Sequence, residues 1–423
     1  MLAYIALGIL GGYASSFTVD QFHQHEHIYN ETEMRDIIEY QLLFSDDQVD
    51  FILNHLWELN QAKFTYYFFR QNCGYYFANL LALAVEQDLV RPHRPWVLPV
   101  DVLEGFNDGN LNYSKIIKHN SRQSRFQNKY LQLTLSERYL LKQWIADKGE
   151  PNLWSSVEIF SQERIIDTAL DYIAFQQRSD LKDVERKLLI GRFALPTGRV
   201  NWVSNDSFFP HQAQKPAYLS LGVSNKNSHT STQLGFRAAN FDLLNIGPSQ
   251  QIGNQLVMGE VNLSITNARA NLDKLTLFDI KRYTAPITDI ETSRENAWHV
   301  KTHFESLSRE NNALAGVTEG GYGKSMQTSP NTVFYALGLV RARYPALQND
   351  YLFAGVGSGL LLVNNNFGVN LELVTVSPIF TFLDWTTEAK AEGVWRLNRE
   401  QEVRLGISYE EHWQIGMNIR QYF

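Results

Sequence analysis

The second half of the chain alternates between apolar and polar residues over many short stretches. Val403, Leu405 and Ile407, for example, are separated by polar or small residues, and residues 413–419 repeat the pattern. The other alternating stretches are 217–224, 231–238, 255–266, 272–282, 298–305, 313–322, 332–343, 351–363 and 367–376. A period of two indicates β-strands, and we predict about ten to twelve antiparallel strands over residues 196–423.

These predicted strands have the length and composition of membrane-crossing strands. A tilted strand of about ten residues crosses a bilayer, with apolar outward positions and polar inward positions. A soluble sandwich or barrel also alternates. The membrane is favoured by large apolar residues at nearly every second position, by aromatic residues near strand ends (Trp298, Tyr409, Trp413) and by the terminal Phe423. We therefore predict a closed outer-membrane barrel with lipid outside and a polar lumen.

The first 195 residues have helical periodicity instead. Ser45 followed by Asp46 and Asp47 is a helix N-terminus signature and predicts a helix over 46–60. Further helices are predicted over 135–148 and 154–190. The predicted fold class is thus a mainly helical α+β part followed by an all-β antiparallel barrel. The corresponding domains are 1–110, a helical connecting region 111–195, and 196–423.

The single cysteine lies in an aromatic stretch that could carry chemistry. Residues 66–84 read YYFFRQNCGYYFANLLALA, and Cys73 is the only cysteine of the 423 residues. The pattern after it is helical, and Asn72 is a suitable N-cap, so Cys73 falls in the first turn. There the helix macrodipole favours a thiolate, the nucleophilic form. The alternative is a buried, inert thiol, since free cysteine is among the most buried residue types.

Composition narrows the classes of function. The formal net charge of −7 gives no basic footprint for nucleic acid. His23, His25 and His27 would share one face of a strand, as in a metal site, but solvated histidines of a polar loop are the alternative. We predict no metal and no cofactor. Residues 1–17 are apolar like a signal peptide but lack its charged start, and the alternative is that they already belong to the folded domain.

The motifs of the first hundred residues, taken in order, resemble the Lnb N-terminal periplasmic domain family. The resemblance covers about residues 5–105. The motifs are Gly11-Gly12-Tyr13; Glu33, Arg35, Asp36, Glu39 and Tyr40; His55-Leu56-Trp57-Glu58-Leu59; Tyr66, Phe68, Phe69, Asn72 and Cys73; and Leu98-Pro99-Val100-Asp101. The helical stretch and the barrel-like half also resemble the C-terminal region that accompanies this domain in Gram-negative bacteria.

The family is similar to papain-like cysteine enzymes of the NlpC/P60 type, and its members include lipoprotein N-acyltransferases. The resemblance implies that Cys73 is the nucleophile and forms a thioester with an acyl group. That group would come from a phospholipid or lipoprotein donor and pass to the α-amine of a lipoprotein's N-terminal cysteine. The resemblance also implies a barrel surrounded by outer-membrane lipid and an N-terminal domain in the periplasm.

This sequence departs from the family at two points. The family's catalytic histidine lies in a Gly-His motif upstream of the Gly-Gly-Tyr segment, and this sequence begins about ten residues before Gly11. We therefore expect either that this sequence starts later than the whole protein does, or that this protein has lost the catalytic histidine that serves as the base. Gly74 stands where a serine is usual. Beside Cys73, His55 and Asn72 are the remaining candidates for catalytic roles.

Two functions stay open at this point. The first is an envelope acyltransferase or hydrolase that depends on Cys73 and is carried on an outer-membrane barrel. The second is a non-catalytic barrel protein whose N-terminal part is structural or serves as a docking module.

Overall fold

The computed structural model of the protein divides into two compact units, Met1–His211 and Gln212–Phe423. It describes residues 7–8, 11–18, 21–90, 96–147, 157–177, 179–198, 200–203, 208–248, 251–267, 269–291, 296–308, 313–347, 350–380 and 385–423. Residues 1–6 and 9–10 of the stretch that resembles a signal peptide lie outside the described residues. The division into three predicted domains stays a prediction.

The first unit combines helices with two small antiparallel sheets. Strand β1 (Tyr13–Ser15) pairs with β3 (Phe64–Tyr66), and β2 (Ile37–Leu42) pairs with β4 (Tyr113–His119). Its α-helices are α1 (Phe22–Glu26), α2 (Asp46–Leu59), α3 (Cys73–Val85), α4 (Glu104–Asn107), α5 (Arg122–Gln132), α6 (Leu135–Ala146), α7 (Ile159–Gln176) and α8 (Lys182–Phe193). A π-helix covers His27–Thr32, and 3-10 helices cover Pro99–Leu103 and Ser179–Leu181. The unit is the mainly helical α+β part that the sequence predicts.

Side-chain caps begin several of these helices. The Ser45 hydroxyl accepts a hydrogen bond from the Gln48 N–H at 3.3 Å, and the Gln48 side chain accepts one from the Ser45 N–H at 2.9 Å. Such a reciprocal capping box satisfies amides that the first turn leaves unpaired. It confirms the predicted start of the helix at Asp46. Thr134 and Glu137 form the same box at the start of α6.

The three alternating histidines lie on helical backbone, so the strand interpretation that would place them on one face is wrong. His23 and His25 belong to α1, and His27 begins the π-helix. Residues 22–27 contain no β-branched side chain, the type that favours a strand. Among the described residues, no group of three or more His, Cys, Asp or Glu side chains is arranged to hold a metal ion.

The second unit is a closed antiparallel barrel of twelve strands, within the predicted number. Each strand pairs with its neighbours in sequence, and β16 pairs with β5 to close the barrel. The strands are β5 (Tyr218–Lys226), β6 (His229–Phe241), β7 (Asn254–Thr266), β8 (Arg269–Arg282), β9 (Ala297–Ser308), β10 (Ala313–Ser329), β11 (Thr332–Leu347), β12 (Asp350–Val363), β13 (Phe367–Pro378), β14 (Thr386–Arg396), β15 (Gln401–Tyr409) and β16 (Trp413–Tyr422).

The barrel exterior is apolar. Along β16 the exposed apolar residues are Trp413, Ile415, Met417 and Ile419, and they alternate with less exposed polar or small residues. Strand β5 repeats the pattern on the same side of the sheet, as expected of a surface that faces lipid. Within the described residues, no helix combines the length and the apolar character that spanning a membrane requires.

The lumen is only partly polar, which corrects the prediction of a polar interior. Tyr335 projects inward over Gly359, where an added Cβ would lie 2.4 Å from the tyrosine ring. Tyr283 stacks on Tyr335 with 4.0 Å between ring centroids. The inward cluster is Leu243, Leu244, Tyr283, Ala297, Val333, Tyr335, Leu337, Leu339, Phe353, Leu361, Val363, Val374, Val376 and Val394. Each of these residues is at most 7% exposed, so they pack against one another as an apolar core inside the barrel.

Candidate functional site

Three segments that carry the N-terminal motifs meet just before Cys73. The pairing of β1 with β3 sets Tyr13 opposite Tyr66. The Phe68 N–H donates to the Gly8 carbonyl at 2.9 Å, and the Val97 N–H donates to the Phe69 carbonyl at 2.7 Å. The chain that leads into α3 is thereby held between segments that are distant in sequence.

Asn72 fixes the start of α3 through both ends of its amide. Its Oδ1 accepts from the Tyr75 N–H at 3.1 Å, which is the N-cap bond that the sequence predicts. Its Nδ2 donates to the Phe68 carbonyl at 3.1 Å and to the Val97 carbonyl at 2.6 Å. The residue is 1% exposed. Asparagine suits this position because it offers a donor and an acceptor at once, whereas aspartate would offer acceptors alone. A catalytic role for Asn72 stays a prediction.

Cys73 is the first residue of α3, and its side chain is exposed. The alternative of a buried thiol is therefore wrong, whereas the reactivity of the thiol stays a prediction. The helix directs its first amides toward this end, and Asn72 already occupies the Tyr75 N–H. Within the described part of the chain, the thiol makes no hydrogen bond. The site thus presents an accessible sulfur on a rigidly capped helix N-terminus.

His55 lies on α2 and is not bonded to Cys73. Its Nδ1 is 3.4 Å from Glu58 Oε2, on the same helix. Its side chain lines a cavity of ≈520 Å³ with Phe64 and Tyr76. No hydrogen bond joins the imidazole to the thiol in the described ranges. The catalytic roles of His55 and Cys73 stay predictions.

Gly74 stands where no larger residue fits. An added Cβ would lie 2.6 Å from Pro99 Cα and 3.3 Å from Asn72 Oδ1. Pro99 is held in turn by the 3-10 helix that it begins, where Asp101 Oδ2 accepts from the Leu98 N–H at 2.8 Å. The glycine therefore permits close contact between α3 and the Leu-Pro-Val-Asp motif, which gives a physical reason for the departure from serine.

We expect Gly74→Ser to destabilise the first unit by about 1–3 kcal/mol, the usual cost of overpacking against backbone that cannot move freely. Limited proteolysis of the full-length protein should detect faster cleavage within residues 1–211. Gly191→Ser is the matched control, because an added Cβ there meets nothing within 4 Å. Equal protease resistance of the two variants would show that the Pro99 segment yields without cost.

Two further motif residues have structural partners. Glu39 Oε2 lies 2.9 Å from His119 Nε2, and this hydrogen bond lowers the pKa of Glu39. The Tyr40 ring stacks on Phe106 at 4.6 Å, and its hydroxyl lies 2.9 Å from His211 Nδ1. Burial raises the pKa of Tyr40 to about 12, so it is a neutral hydrogen-bonding group at physiological pH.

A second cluster of polar residues lies inside the barrel, around Asp242. Asp242 Oδ2 is 2.9 Å from Arg237 Nη1 and 3.1 Å from Arg420 Nη1, and its Oδ1 is 3.0 Å from Arg404 Nη2. Arg237 and Arg404 are 0% and 2% exposed. A single carboxylate therefore bridges three guanidinium groups, two of which are almost fully removed from water, while the Arg420 side chain is 11% exposed.

The residues after Asp242 continue into the barrel. We call residues 242–246 the inward loop. Leu243 and Leu244 belong to the apolar cluster of the lumen. Asn245 accepts from Arg237 Nη2 at 2.8 Å and donates to the Tyr422 hydroxyl at 2.8 Å. The inward loop therefore fills the end of the barrel at which the first strand starts and the last strand ends.

The alternation of apolar and polar residues does not predict this cluster. A usable signal was present in residues 241–245, which read FDLLN, because two adjacent leucines are unusual in a turn that faces water.

Comparison with known proteins gives two family matches. Residues 1–106 match the Lnb N-terminal periplasmic domain, and residues 207–422 match the family described as Domain of unknown function (DUF7840). Among the curated proteins, none matches the chain.

Several solved outer-membrane structures are similar to the barrel. The NanC porin is 9% identical with a TM-score of 0.32, over 48% of this chain and 100% of its own. The KdgM porin, solved with disordered oligogalacturonate, is 5% identical with a TM-score of 0.29, over 49% of this chain and 99% of its own. Omp33 of Acinetobacter baumannii is 9% identical with a TM-score of 0.26, over 50% of this chain and 100% of its own.

The apolar exterior of a closed barrel and the periplasmic family of the first unit define the class. The chain is an outer-membrane β-barrel protein with an N-terminal periplasmic domain. It belongs to the family described as Domain of unknown function (DUF7840), which covers the barrel.

Proposed function

We propose that the periplasmic unit transfers acyl groups through a thioester on Cys73 and that the barrel holds this unit at the outer membrane. The observation that carries the proposal is the exposure of Cys73 at a capped helix N-terminus, where the N-terminal motif segments converge. Catalytic thiols need both access for the substrate and a local field that favours the thiolate.

The proposed reaction has two displacement steps. The Cys73 thiolate attacks the ester carbonyl carbon of a phospholipid or lipoprotein donor, the C–S bond forms, and the ester C–O bond breaks as the alcohol leaves with a proton. The α-amine of a lipoprotein's N-terminal cysteine then attacks the thioester carbonyl. The C–N bond forms, the C–S bond breaks, and the amine proton leaves as the thiolate is regenerated.

The backbone around Cys73 supports the first step. The amides of Cys73 and Gly74 belong to the first turn of α3, whose N–H groups have no partner within the helix. Fixed N–H dipoles of this kind stabilise the negative oxygen of a tetrahedral intermediate. His55 is the imidazole that the sequence offers as a base.

The test uses the full-length protein in vesicles that contain a phospholipid with a deuterated acyl chain. We expect the mass of the native protein to rise by one acyl group, and neutral hydroxylamine to remove it as a thioester. Cys73→Ala should gain no mass, although it keeps the gel mobility of a folded barrel. Addition of a diacylated lipopeptide with a free N-terminal amine should transfer the deuterated chain to that amine.

The variants also separate the roles of the residues. If His55 is the base, His55→Ala should slow acylation while leaving the final thioester stable. Unchanged rates would assign the base to another group. Acyl transfer by Cys73→Ala at the native rate would overturn the proposal.

A non-catalytic function is the second candidate. It is favoured by the observation that, in the portion of the chain that is described, no hydrogen-bonding group contacts the thiol. The first unit would then be a structural or docking module of the barrel. A folded protein that acquires no acyl group under the conditions above would support this function.

A further inference from the structure

One face of the barrel carries a groove of ≈710 Å³, which we call the outer groove. Its lining follows a regular pattern of three consecutive residues on each of five neighbouring strands, with single residues from the next two. The lining residues are 324–326, 334–336, 358–360, 371–373, 389–391, Ile407 and Trp413. The pattern runs without a gap from β10 to β16.

The groove opens to the outside of the barrel. In each set of three the middle residue belongs to the lumen: the Tyr335 hydroxyl donates to Glu372 Oε2 at 3.2 Å, and Lys281 Nζ lies 3.4 Å from the same oxygen. The flanking residues face outward, and among them Phe334 and Leu371 are exposed. The floor is therefore backbone, and the walls are the outward side chains on either side of it.

The register explains why a depression forms there. Ala336 pairs with Ser358, and Leu373 pairs with Ala389, so small residues interrupt a surface that is elsewhere built from large ones. Their larger neighbours Phe334, Leu360 and Leu371 stand along one side. The strands from β10 to β16 are six steps apart, which gives a length of roughly 29 Å at about 4.8 Å per step.

The direction of the groove suits a lipid chain. It runs across the strands, and strands of such barrels tilt by about 35–45° from the barrel axis. A line across them therefore rises obliquely through the hydrocarbon layer instead of circling the barrel at one depth. An extended acyl chain can follow such a path from the interface into the bilayer.

A positive charge lies at one end of the groove and suits the anionic headgroup of a lipid. Lys324 lies on the exposed, outward side of β10, five residues before the strand ends at Ser329. That end of the barrel is the one where β5 begins at Tyr218, because successive strands are antiparallel. Since the periplasmic unit precedes β5, Lys324 lies toward the periplasmic leaflet. A lysine near the interface extends its ammonium group to the lipid headgroups.

We propose that the outer groove binds one phospholipid of the periplasmic leaflet, with an acyl chain along the groove and its phosphate at Lys324. The site does not depend on acyl transfer by Cys73. Bilayer lipid adjoins this face, the apolar walls match an acyl chain, and the outward-facing ammonium group of Lys324 matches one phosphate.

Native mass spectrometry of the full-length protein, extracted in mild detergent, tests the proposal. We expect one phosphatidylethanolamine to remain bound to the native protein and to be lost from Ala336→Trp, which fills the floor. Ala342→Trp is the matched control, because it lies on the outward face of the same strand and outside the groove. Lys324→Gln should weaken retention about fivefold, the equivalent of one interfacial lysine.

A phosphatidylethanolamine with a photoactivatable acyl chain locates the lipid. Cross-links confined to outward residues of β11 to β14 would support the site. Even labelling around the barrel, or equal retention by Ala336→Trp and Ala342→Trp, would overturn it. Displacement of the lipid by lipopolysaccharide, or a dimer that Ala336→Trp abolishes in the absence of lipid, would assign the groove to another occupant and would equally reject the proposal.

Discussion

The Asp242→Asn protein should unfold at a lower urea concentration than the native protein, with a loss of about 3–5 kcal/mol, the range for breaking a buried ion pair. Asparagine keeps the shape of the side chain but removes the charge between three guanidinium groups. Arg237 and Arg404 are almost fully buried, so water does not replace the lost partner. Urea unfolding in lipid vesicles, followed by gel mobility without boiling, measures the difference.

Glu411→Gln is the control for this prediction. It removes the same charge from an exposed hairpin residue of the barrel and should leave the urea midpoint unchanged. A midpoint for Asp242→Asn equal to that of Glu411→Gln would mean that Glu402 and Glu392, which also pair with Arg404, compensate the arginines without Asp242.

The second large effect is expected on the lipid-facing surface. Leu405 is the fifth of the nine residues of β15 and is 58% exposed on the outward face. We expect Leu405→Arg to cost about 2–4 kcal/mol, the range for a cation near the middle of the bilayer on the outside of a barrel. The free energy of unfolding in vesicles, obtained from urea titrations, is the quantity to compare.

Ser408→Arg provides the comparison on the opposite face of the same strand. Ser408 pairs with Lys390 and Gln414, which belong to the lumen-facing rows. An arginine there reaches polar partners and should cost much less than at Leu405. Similar losses for the two variants would contradict the assignment of inside and outside.

Alternation in the sequence was sufficient for most strands, and β14 shows where it fails. Its inward residues include Glu388, Lys390 and Glu392, and its outward residues Ala389 and Ala391 are too small to register as an apolar row. The period of two is present in β14, but charged residues alternate with small residues instead of with large apolar ones. The same small residues form part of the outer groove, which no count of large apolar residues could reveal.

The candidate site was only partly accessible from sequence. The N-cap of Asn72 and the helix after Cys73 follow from local rules. The two bonds from Asn72 to carbonyl groups and the contact of Gly74 with Pro99 depend on segments brought together by folding. Exposure of the Cys73 thiol likewise depends on tertiary structure, and the local periodicity was compatible with both a buried and an exposed thiol.

The position of the inward loop inside the barrel could not be predicted from the sequence, for a different reason. The residue types of a turn predict where the chain reverses direction, and residues 242–246 do lie in the connection that reverses the chain between β6 and β7. Whether such a turn faces water or enters the lumen depends on partners such as Arg404 and Arg420, which lie more than 150 residues later in the chain.

The pairing that closes the barrel also constrains how the protein can assemble. Tyr218 of β5 meets Tyr422 of β16, and these residues are 204 positions apart (422 − 218). Until the last strand is synthesised and docked, both β5 and β15 present unpaired edges, which are sites of aggregation. Such non-local pairing is slow because the entropy of loop closure is lost before the contacts that stabilise the pairing can form. Insertion should therefore be a late, all-or-none event that requires the ten residues of β16. The two small sheets of the first unit, by contrast, need only residues up to His119 and can pair while synthesis continues.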